Sequence, residues 1–191
     1  MPIHKRWNIL PPITPEADSS LSRFPPILRQ ILFNRGYPTD AEARAYLNAV
    51  TNFDTNPFQM KGMGEAARRI QTAIQNGESI AVYGDYDVDG VTATALLVES
   101  LAQFGAHVRE YIPNRFEEGY GLNKEAIEKL KTDGVKLVVT VDCGIRSPEE
   151  AAYAKEIGLD LIISDHHHPV ENVLPPALAV INPKQPGDLY P

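Results

Sequence analysis

From residue 79 onward, short apolar runs alternate with stretches whose apolar residues recur every three to four positions. A two-residue period interleaved with a 3.6-residue period predicts strands alternating with helices. Strands are expected over 79–83, 107–112, 136–141, 160–164 and 178–181, and helices over 92–104, 123–132 and 147–158. The helix over 92–104 is expected to turn Ala93, Leu96, Leu97, Ser100, Leu101 and Phe104 inward. Ser147-Pro148-Glu149-Glu150 reads as a capping box with proline at the first helical position. Strands joined through helices imply right-handed crossovers and a mainly parallel sheet, an α/β fold.

The first 77 residues follow another pattern. Residues 1–26 hold six of the 16 prolines, which predicts an extended arm with turns, docked by Trp7, Ile9 and Leu10. Ile27, Leu28, Ile31 and Leu32 mark a short amphipathic helix that stops near Gly36. Thr39-Asp40-Ala41-Glu42 is a capping box opening a helix with Ala43, Tyr46, Leu47 and Val50 on one face. After a loop over 52–61, Met63, Ala66, Ala67, Ile70, Ala73 and Ile74 mark a third helix, closed by Asn76-Gly77. The chain thus divides into a helical N-terminal extension, 1–77, with no catalytic-looking cluster, and an α/β domain, 78–191. No closing helix follows Asn182-Pro183, so the α/β domain is expected to be truncated at its C-terminal end.

Composition narrows the class. Of 191 residues, 43% are hydrophobic and 23% charged, which suits a soluble globular protein. No apolar run approaches the roughly 18 residues of a membrane span, and residues 1–7 lack the apolar core of a secretory signal. A single cysteine, Cys143, precludes an internal disulfide and suits a reducing cytoplasm. The net charge of −7 weighs against a nucleic-acid partner. Asp85, Asp87, Asp89, Asp142 and Asp165, however, sit in candidate metal motifs, where bound divalent ions would offset much of that charge.

Those motifs carry the chemistry. Asp85, Asp87 and Asp89 follow the apolar run Ile80-Ala81-Val82-Tyr83. Alternate side chains of an extended chain share a face, so the three carboxylates are expected to point the same way and to repel without a cation. Hard oxygen donors at this density suit Mg or Mn. An EF-hand loop would need a bidentate Glu at the twelfth position, where this chain has Leu96. In open parallel sheets, ligands bind beyond the carboxyl ends of the strands. Asp142 ends the third strand, in Thr140-Val141-Asp142-Cys143-Gly144, and Asp165-His166-His167 follows the fourth. Three strand ends thus deliver carboxylates and imidazoles to one edge. Gly90 is expected to permit a sharp turn, and the helix start near Val91-Thr92 to present backbone N–H groups to an anion. A phosphate beside a two-metal centre would fit.

Gly84-Asp85-Tyr86-Asp87-Val88-Asp89-Gly90, Thr140-Val141-Asp142-Cys143-Gly144 and Ser164-Asp165-His166-His167 resemble the first three motifs of the DHH phosphoesterase superfamily. Tyr111-Ile112-Pro113-Asn114-Arg115-Phe116-Glu117-Glu118-Gly119-Tyr120-Gly121-Leu122-Asn123 and Leu32-Phe33-Asn34-Arg35-Gly36 resemble its branch of RecJ-type single-strand exonucleases. The resemblance implies a Rossmann-like sheet flanked by helices, the DHH domain. It implies a 5′-to-3′ exonuclease acting on single-stranded DNA in repair and recombination, releasing 5′-mononucleotides with two Mn2+ or Mg2+ ions. Carried over by position, Asp85 and Asp87 would bind one ion, Asp89 and His166 the other, and Asp142 would bridge them. Asp165 would orient His166, and His167 would face the scissile phosphate as an electrophilic or acid group. Asn114, Arg115 and Tyr120 would grip the strand, with a helicase or single-strand-binding protein as further partners. The family also carries a fourth acidic motif and a second domain further along. Their absence implies a second ion site short of a ligand and a stretch almost inactive alone.

Blander readings stand beside these. His168 reads as a loop residue, Cys143 as a small buried strand residue, and Arg68 and Arg69 as solvated. Arg115 could instead pair with Glu117 or Glu118. Two other functions fit the same motifs: a phosphoesterase for short oligonucleotides, cyclic dinucleotides or pyrophosphate, or a silent scaffold that binds DNA or a replication partner. The helical extension and the loop over 114–123 favour the exonuclease over the first. The intact set of ligand residues argues against the second.

Overall fold

A computed structural model describes residues 8–49, 55–114, 116, 119, 121–170 and 173–190. The chain forms two compact units, Met1–Asp54 and Thr55–Pro191.

The first unit holds α1 (Pro15–Ser20), α2 (Pro26–Asn34) and α3 (Asp40–Leu47). Part of the expected extended arm is therefore helical. Thr14 accepts the Ala17 N–H and Pro15 occupies the first helical position, where a missing N–H costs nothing. The capping box at α3 forms as expected: the Thr39 hydroxyl accepts the Glu42 N–H while the Glu42 carboxylate accepts the Thr39 N–H. Leu21, Leu32 and Ala43 form a small core, packed by Ile13, Phe24, Leu28 and Tyr37. Of the face expected on α3, Ala43 is buried, whereas Tyr46 and Leu47 are exposed and Val50 lies outside the described residues. Tyr46 stacks on Tyr37, with ring centroids 4.3 Å apart. Ile9 and Leu10 are exposed rather than docked; Trp7 lies outside the described residues.

The second unit is an α/β sandwich. Its strands are β1 (Ser79–Gly84), β2 (His107–Tyr111), β3 (Leu137–Val141), β4 (Asp160–Ser164) and β5 (Ala179–Ile181). They form one all-parallel sheet in the order β2-β1-β3-β4-β5. The helices are α4 (Met63–Gln75), α5 (Val88–Gln103), α6 (Lys124–Thr132) and α7 (Pro148–Glu156). Strand alternation sends Ile80, Val82, Leu137, Val139 and Ile162 into a layer with Ala66 and Ala73 of α4 and Leu101 of α5. Ala81, Tyr83, Val138, Leu161 and Ile163 enter the opposite layer, with Ala126, Ile127 and Leu130 of α6 and Ala151 and Ala154 of α7.

The unit boundary at Asp54/Thr55 lies N-terminal to the division expected at 77/78, because α4 buries its apolar face on the sheet. Arg69 is not solvated. Its Nε and Nη2 lie 2.6 Å from Asp160 and Glu78, which ties α4 to the starts of β4 and β1. Helix α5 begins at Val88, four residues earlier than expected, and Ala93, Leu97 and Leu101 pack against the core as expected. Thr94 and Leu101 are buried, whereas Leu96 and Phe104 are exposed. Among the described residues, no helix is long and apolar enough to cross a membrane.

Candidate metal centre

The chain runs from β1 outward to β2 and then back across to β3. The switch point of the sheet therefore lies between the carboxyl ends of β1 and β3, where an open α/β sheet leaves a crevice. Strand register fills that crevice. Gly84 is aligned with Val141, Val141 with Ser164, and Ser164 with Ile181. The next residue on each strand is polar: Asp85, Asp142, Asp165 and Asn182. Four in-register strand ends thus present a row of three carboxylates and one amide, all four side chains largely buried.

Asp85, Asp87 and Asp89 reach this row by different routes, not by strand alternation. Asp85 follows β1 and is buried, its Oδ1 accepting the Tyr86 N–H. Asp87 is the N-cap of α5, and its Oδ1 accepts the Gly90 N–H at 3.0 Å. Asp89 lies in the first turn of α5. Gly90 sits inside the helix and makes no turn. A Cβ there would meet the Asp85 carbonyl oxygen and, at 2.6 Å, the Asp85 nitrogen. Glycine lets the start of α5 lie directly against the end of β1, which sets Asp87 beside Asp85.

Asp142 adopts φ +61°, a left-handed conformation that aspartate visits more readily than most residues. Its N–H is held by the Ser164 carbonyl, and the Thr140 hydroxyl donates to the Cys143 carbonyl, so the bend after β3 is braced on both sides. Cys143 is buried, as expected of a small strand-end residue, and burial drives its thiol pKa upward.

The Asp165 carboxylate gathers the next loop. It accepts the backbone N–H groups of Ile145 (3.0 Å), His166 (2.7 Å) and His167 (3.0 Å), and its Oδ1 lies 2.8 Å from His167 Nδ1. Asp165 therefore orients His167; the expected pairing with His166 is not made. The loop curls round the carboxylate as an Asx turn, which carries the His166 ring away to Asp142, with Nε2 3.0 Å from Asp142 Oδ1. His168 is exposed, as expected of a loop residue.

Two tight donor groups result among the described residues. Asp85, Asp87 and Asp142 form one; Asp142, His166 and His167 form the other; the ligand atoms within each lie within 4.8 Å of one another. Asp142 belongs to both. Asp89 joins neither, but lines a cavity of about 450 Å³ with Asp142, His166, Met60, Met63 and Pro183. The electrostatics match a cation site. The Gly90 N–H holds Asp87 below the usual carboxylate range, whereas burial first and the Asp87 charge second push Asp142 above it. Hard oxygens joined by imidazoles, with one carboxylate strained by a charged neighbour, fit Mn2+ or Mg2+.

Of the expected strand-binding residues, Asn114 is described: it is exposed and its side chain accepts the Phe116 N–H. Arg115 and Tyr120 lie outside the described residues. Two contributors were missed in the sequence. Asn182 donates from Nδ2 to the His167 carbonyl at 2.9 Å, and the Ile145 N–H anchors Asp165. Asn182 could have been found by extending the strand-end rule to β5.

The family model described as DHH family, N-terminal domain, matches residues 79–188. The single-stranded-DNA-specific exonuclease RecJ of Bacillus subtilis (strain 168) is 45% identical over 188 residues, covering 97% of this chain and 24% of that protein. A crystal structure of exonuclease RecJ bound to manganese superposes with a TM-score of 0.62 at 43% identity, covering 68% of this chain and 33% of that one. A crystal structure of RecJ from Thermus thermophilus in complex with Mn2+ superposes at 0.58 with 30% identity, covering 91% and 24%. The chain spans 24% to 29% of the length of the first three curated relatives that it matches. The matched span encloses both donor groups and the whole row of strand-end residues, and the chain belongs to the DHH family.

Proposed function

We propose that this chain is the metal-holding part of a 5′-to-3′ exonuclease that hydrolyses single-stranded DNA to 5′-mononucleotides. The observation that carries the reading is Asp142, whose carboxylate belongs to two overlapping donor groups at the switch point of the sheet. One group, Asp85, Asp87 and Asp142, would hold one ion. The other would use Asp142 and His166, with Asp89 in the adjoining cavity. Bound divalent ions supply Lewis-acid polarisation of the phosphoryl group. The chain's own residues do the rest. Asp165 Oδ1, 2.8 Å from His167 Nδ1, fixes the ring so that Nε2 is the nitrogen turned toward a phosphoryl oxygen. Similarity to RecJ exonucleases over nearly the whole chain supports DNA as the substrate. Asn114, Arg115 and Tyr120 would contact the strand. We keep 78–191 as the DHH phosphoesterase domain of the proposal, with α4 packed on its sheet. A single-strand nuclease needs a source of single strands, so a helicase or a single-strand-binding protein in the cytoplasm is a fitting partner.

The test is an assay of the full-length protein with Mn2+ on end-labelled single-stranded and duplex DNA. Mononucleotides released from the 5′ end of single strands, with duplex resistant, are the expected result. Hydrolysis confined to cyclic dinucleotides or pyrophosphate would point to a small-molecule phosphoesterase. Binding of DNA without cleavage would point to a scaffold.

A further inference from the structure

The donor row has a cavity on each side. Besides the one that Asp89 and Met63 line, a cavity of about 240 Å³ opens between the loops that follow β2, β3 and β4. Its walls include Gly121, Gly144, Arg146, Ser147, Asp165 and His167. His167 thus lines the cavity while one of its ring nitrogens belongs to the donor group with Asp142 and His166. A group in this cavity would lie one side chain away from the reacting phosphate.

Two side chains of its wall, Arg146 and Ser147, have donors to spare among the described residues. Arg146 is held by one edge only, its Nε donating to the His168 carbonyl at 3.0 Å. Among the described residues its two terminal nitrogens meet no carboxylate and no other acceptor. Ser147 is the residue before α7, yet its side chain does not cap the helix and its hydroxyl bonds to none of the described residues. The one carboxylate in the wall, Asp165, is already claimed by three backbone N–H groups and the His167 ring. Nearby Glu149 is drawn away to Lys124, 3.7 Å from it. Arg146 is exposed at the rim of this cavity, and a planar guanidinium fixed at Nε, with both terminal nitrogens left to donate, is suited to an oxyanion with two free oxygens.

We propose that Arg146 and Ser147 form a subsite for a phosphate of the single strand adjacent to the one that is hydrolysed. The proposal rests on the exonuclease reading above. It names a residue outside the donor groups, and it assigns to the cavity a ligand class, a nucleic-acid phosphate. That phosphate could belong to either neighbour of the scissile bond. The subsite would hold the strand in register, so that the reacting phosphate stays over the metals while its neighbour is clamped.

The test uses the full-length protein with Mn2+ and three dinucleotide substrates: one with the scissile phosphodiester alone, one with an added 5′-phosphate, and one with an added 3′-phosphate. For the wild type, the added phosphate that enters the subsite should raise kcat/KM. Arg146→Ala should lower the ratio of that substrate to the bare dinucleotide about tenfold, as loss of a charge-assisted contact implies. Arg146→Lys should keep part of the ratio. Because each variant is compared with itself, a general loss of folding or metal cancels. Whichever phosphate shows the effect identifies the neighbour. Ratios unchanged in Arg146→Ala for both added phosphates, with the wild type active, would overturn the subsite and leave the exonuclease reading intact. A wild type that hydrolyses none of the three substrates and no longer single strand would overturn both.

Discussion

The side-chain amide of Asn182 donates to the carbonyl of His167 at 2.9 Å, while its Oδ1 accepts the N–H of Lys184 at 2.7 Å. Asn182 is wholly buried. It therefore joins the end of β5 to the histidine loop that follows β4, and both of its bonds are partly shielded from water. Asn182→Ala would take the side-chain partner from the Lys184 N–H and the His167 carbonyl, both partly shielded, at a cost of about 1 kcal/mol. The variant should unfold at lower urea concentration with an unchanged m-value. Asn182→Asp keeps the acceptor and sets a carboxylate against the His167 carbonyl, so it should be the less stable of the two. Equal stability of all three proteins would show that the link is incidental.

The shared carboxylate makes a pH-dependent forecast possible. Burial and the Asp87 charge raise the Asp142 pKa in the folded protein. A raised carboxylate contributes stability below its unfolded pKa, and that contribution is lost as pH rises through the folded value. Without metal, ionised Asp142 is thus a cost at neutral pH. Asp142→Asn removes the charge, keeps a residue tolerant of positive φ, and should make the metal-free protein more stable than wild type at pH 7. The difference should vanish in acid, where Asp142 is protonated in both states. The same variant takes a ligand from both donor groups, so Mn2+ affinity should fall by more than the 10–100-fold typical of an outer-shell loss. Calorimetry of Mn2+ binding and thermal melts across pH measure the two effects. A variant less stable than wild type without metal at pH 7 would mean that the carboxylate is not strained.

Much of this site could be read from sequence because it depends on strand ends. Asp85, Asp142 and Asp165 each stand one residue beyond an apolar run, and a parallel sheet in register must bring such residues together. What could not be read depended on where α5 starts. Treating 85–89 as extended put three carboxylates on one face, yet Asp87 caps the helix and Asp89 already lies in its first turn. The cap signal was present in the sequence, an Asp three residues before Gly90, but it competed with a stronger metal motif. The pairing of Asp165 with His167 depends on a tight loop whose side-chain directions no periodicity encodes. Likewise, the apolar stripe of α4 announces a buried face without saying which core receives it.

Gly90 tests whether close packing of α5 on β1 builds the first donor group. Gly90→Ala would drive a methyl into the backbone of Asp85. Backbone cannot rotate away as a side chain can, so the helix start must shift. Overpacking of this kind costs about 1–3 kcal/mol, occasionally more. Because the shift would separate Asp87 from Asp85, Mn2+ affinity should fall together with the melting temperature. Gly105→Ala is a useful control: it also falls at a glycine beside α5, but nothing lies within 4 Å of the added carbon, and the cost there is backbone strain alone at φ +81°. It should lower stability without touching Mn2+ affinity. Unchanged Mn2+ binding in a folded Gly90→Ala variant would show that the donor group does not depend on this contact.

Asp165 and His167 give the sharpest separation between chemistry and metal binding. Asp165 Oδ1 accepts from the His166 and His167 N–H groups and from His167 Nδ1, and Oδ2 accepts from Ile145 N–H. In Asp165→Asn, the side-chain oxygen can keep the first three partners only if the new NH2 group faces the Ile145 N–H, donor against donor. The loop between β4 and β5 should loosen, and the His167 ring would lose the carboxylate that orients it. Turnover by the full-length protein should fall by at least the roughly 10²–10³-fold that follows loss of one transition-state contact. His167→Ala should fall by a similar factor, and the double variant by little more than either single one, because the two residues act as a unit. Mn2+ affinity should drop far less in His167→Ala than in His166→Ala, since His166 Nε2 lies 3.0 Å from the shared carboxylate of Asp142. Multiplicative losses in the double variant would separate the roles of Asp165 and His167. A collapse of Mn2+ affinity in His167→Ala, with turnover lost only in proportion, would make His167 a ligand and leave the acid role without a residue.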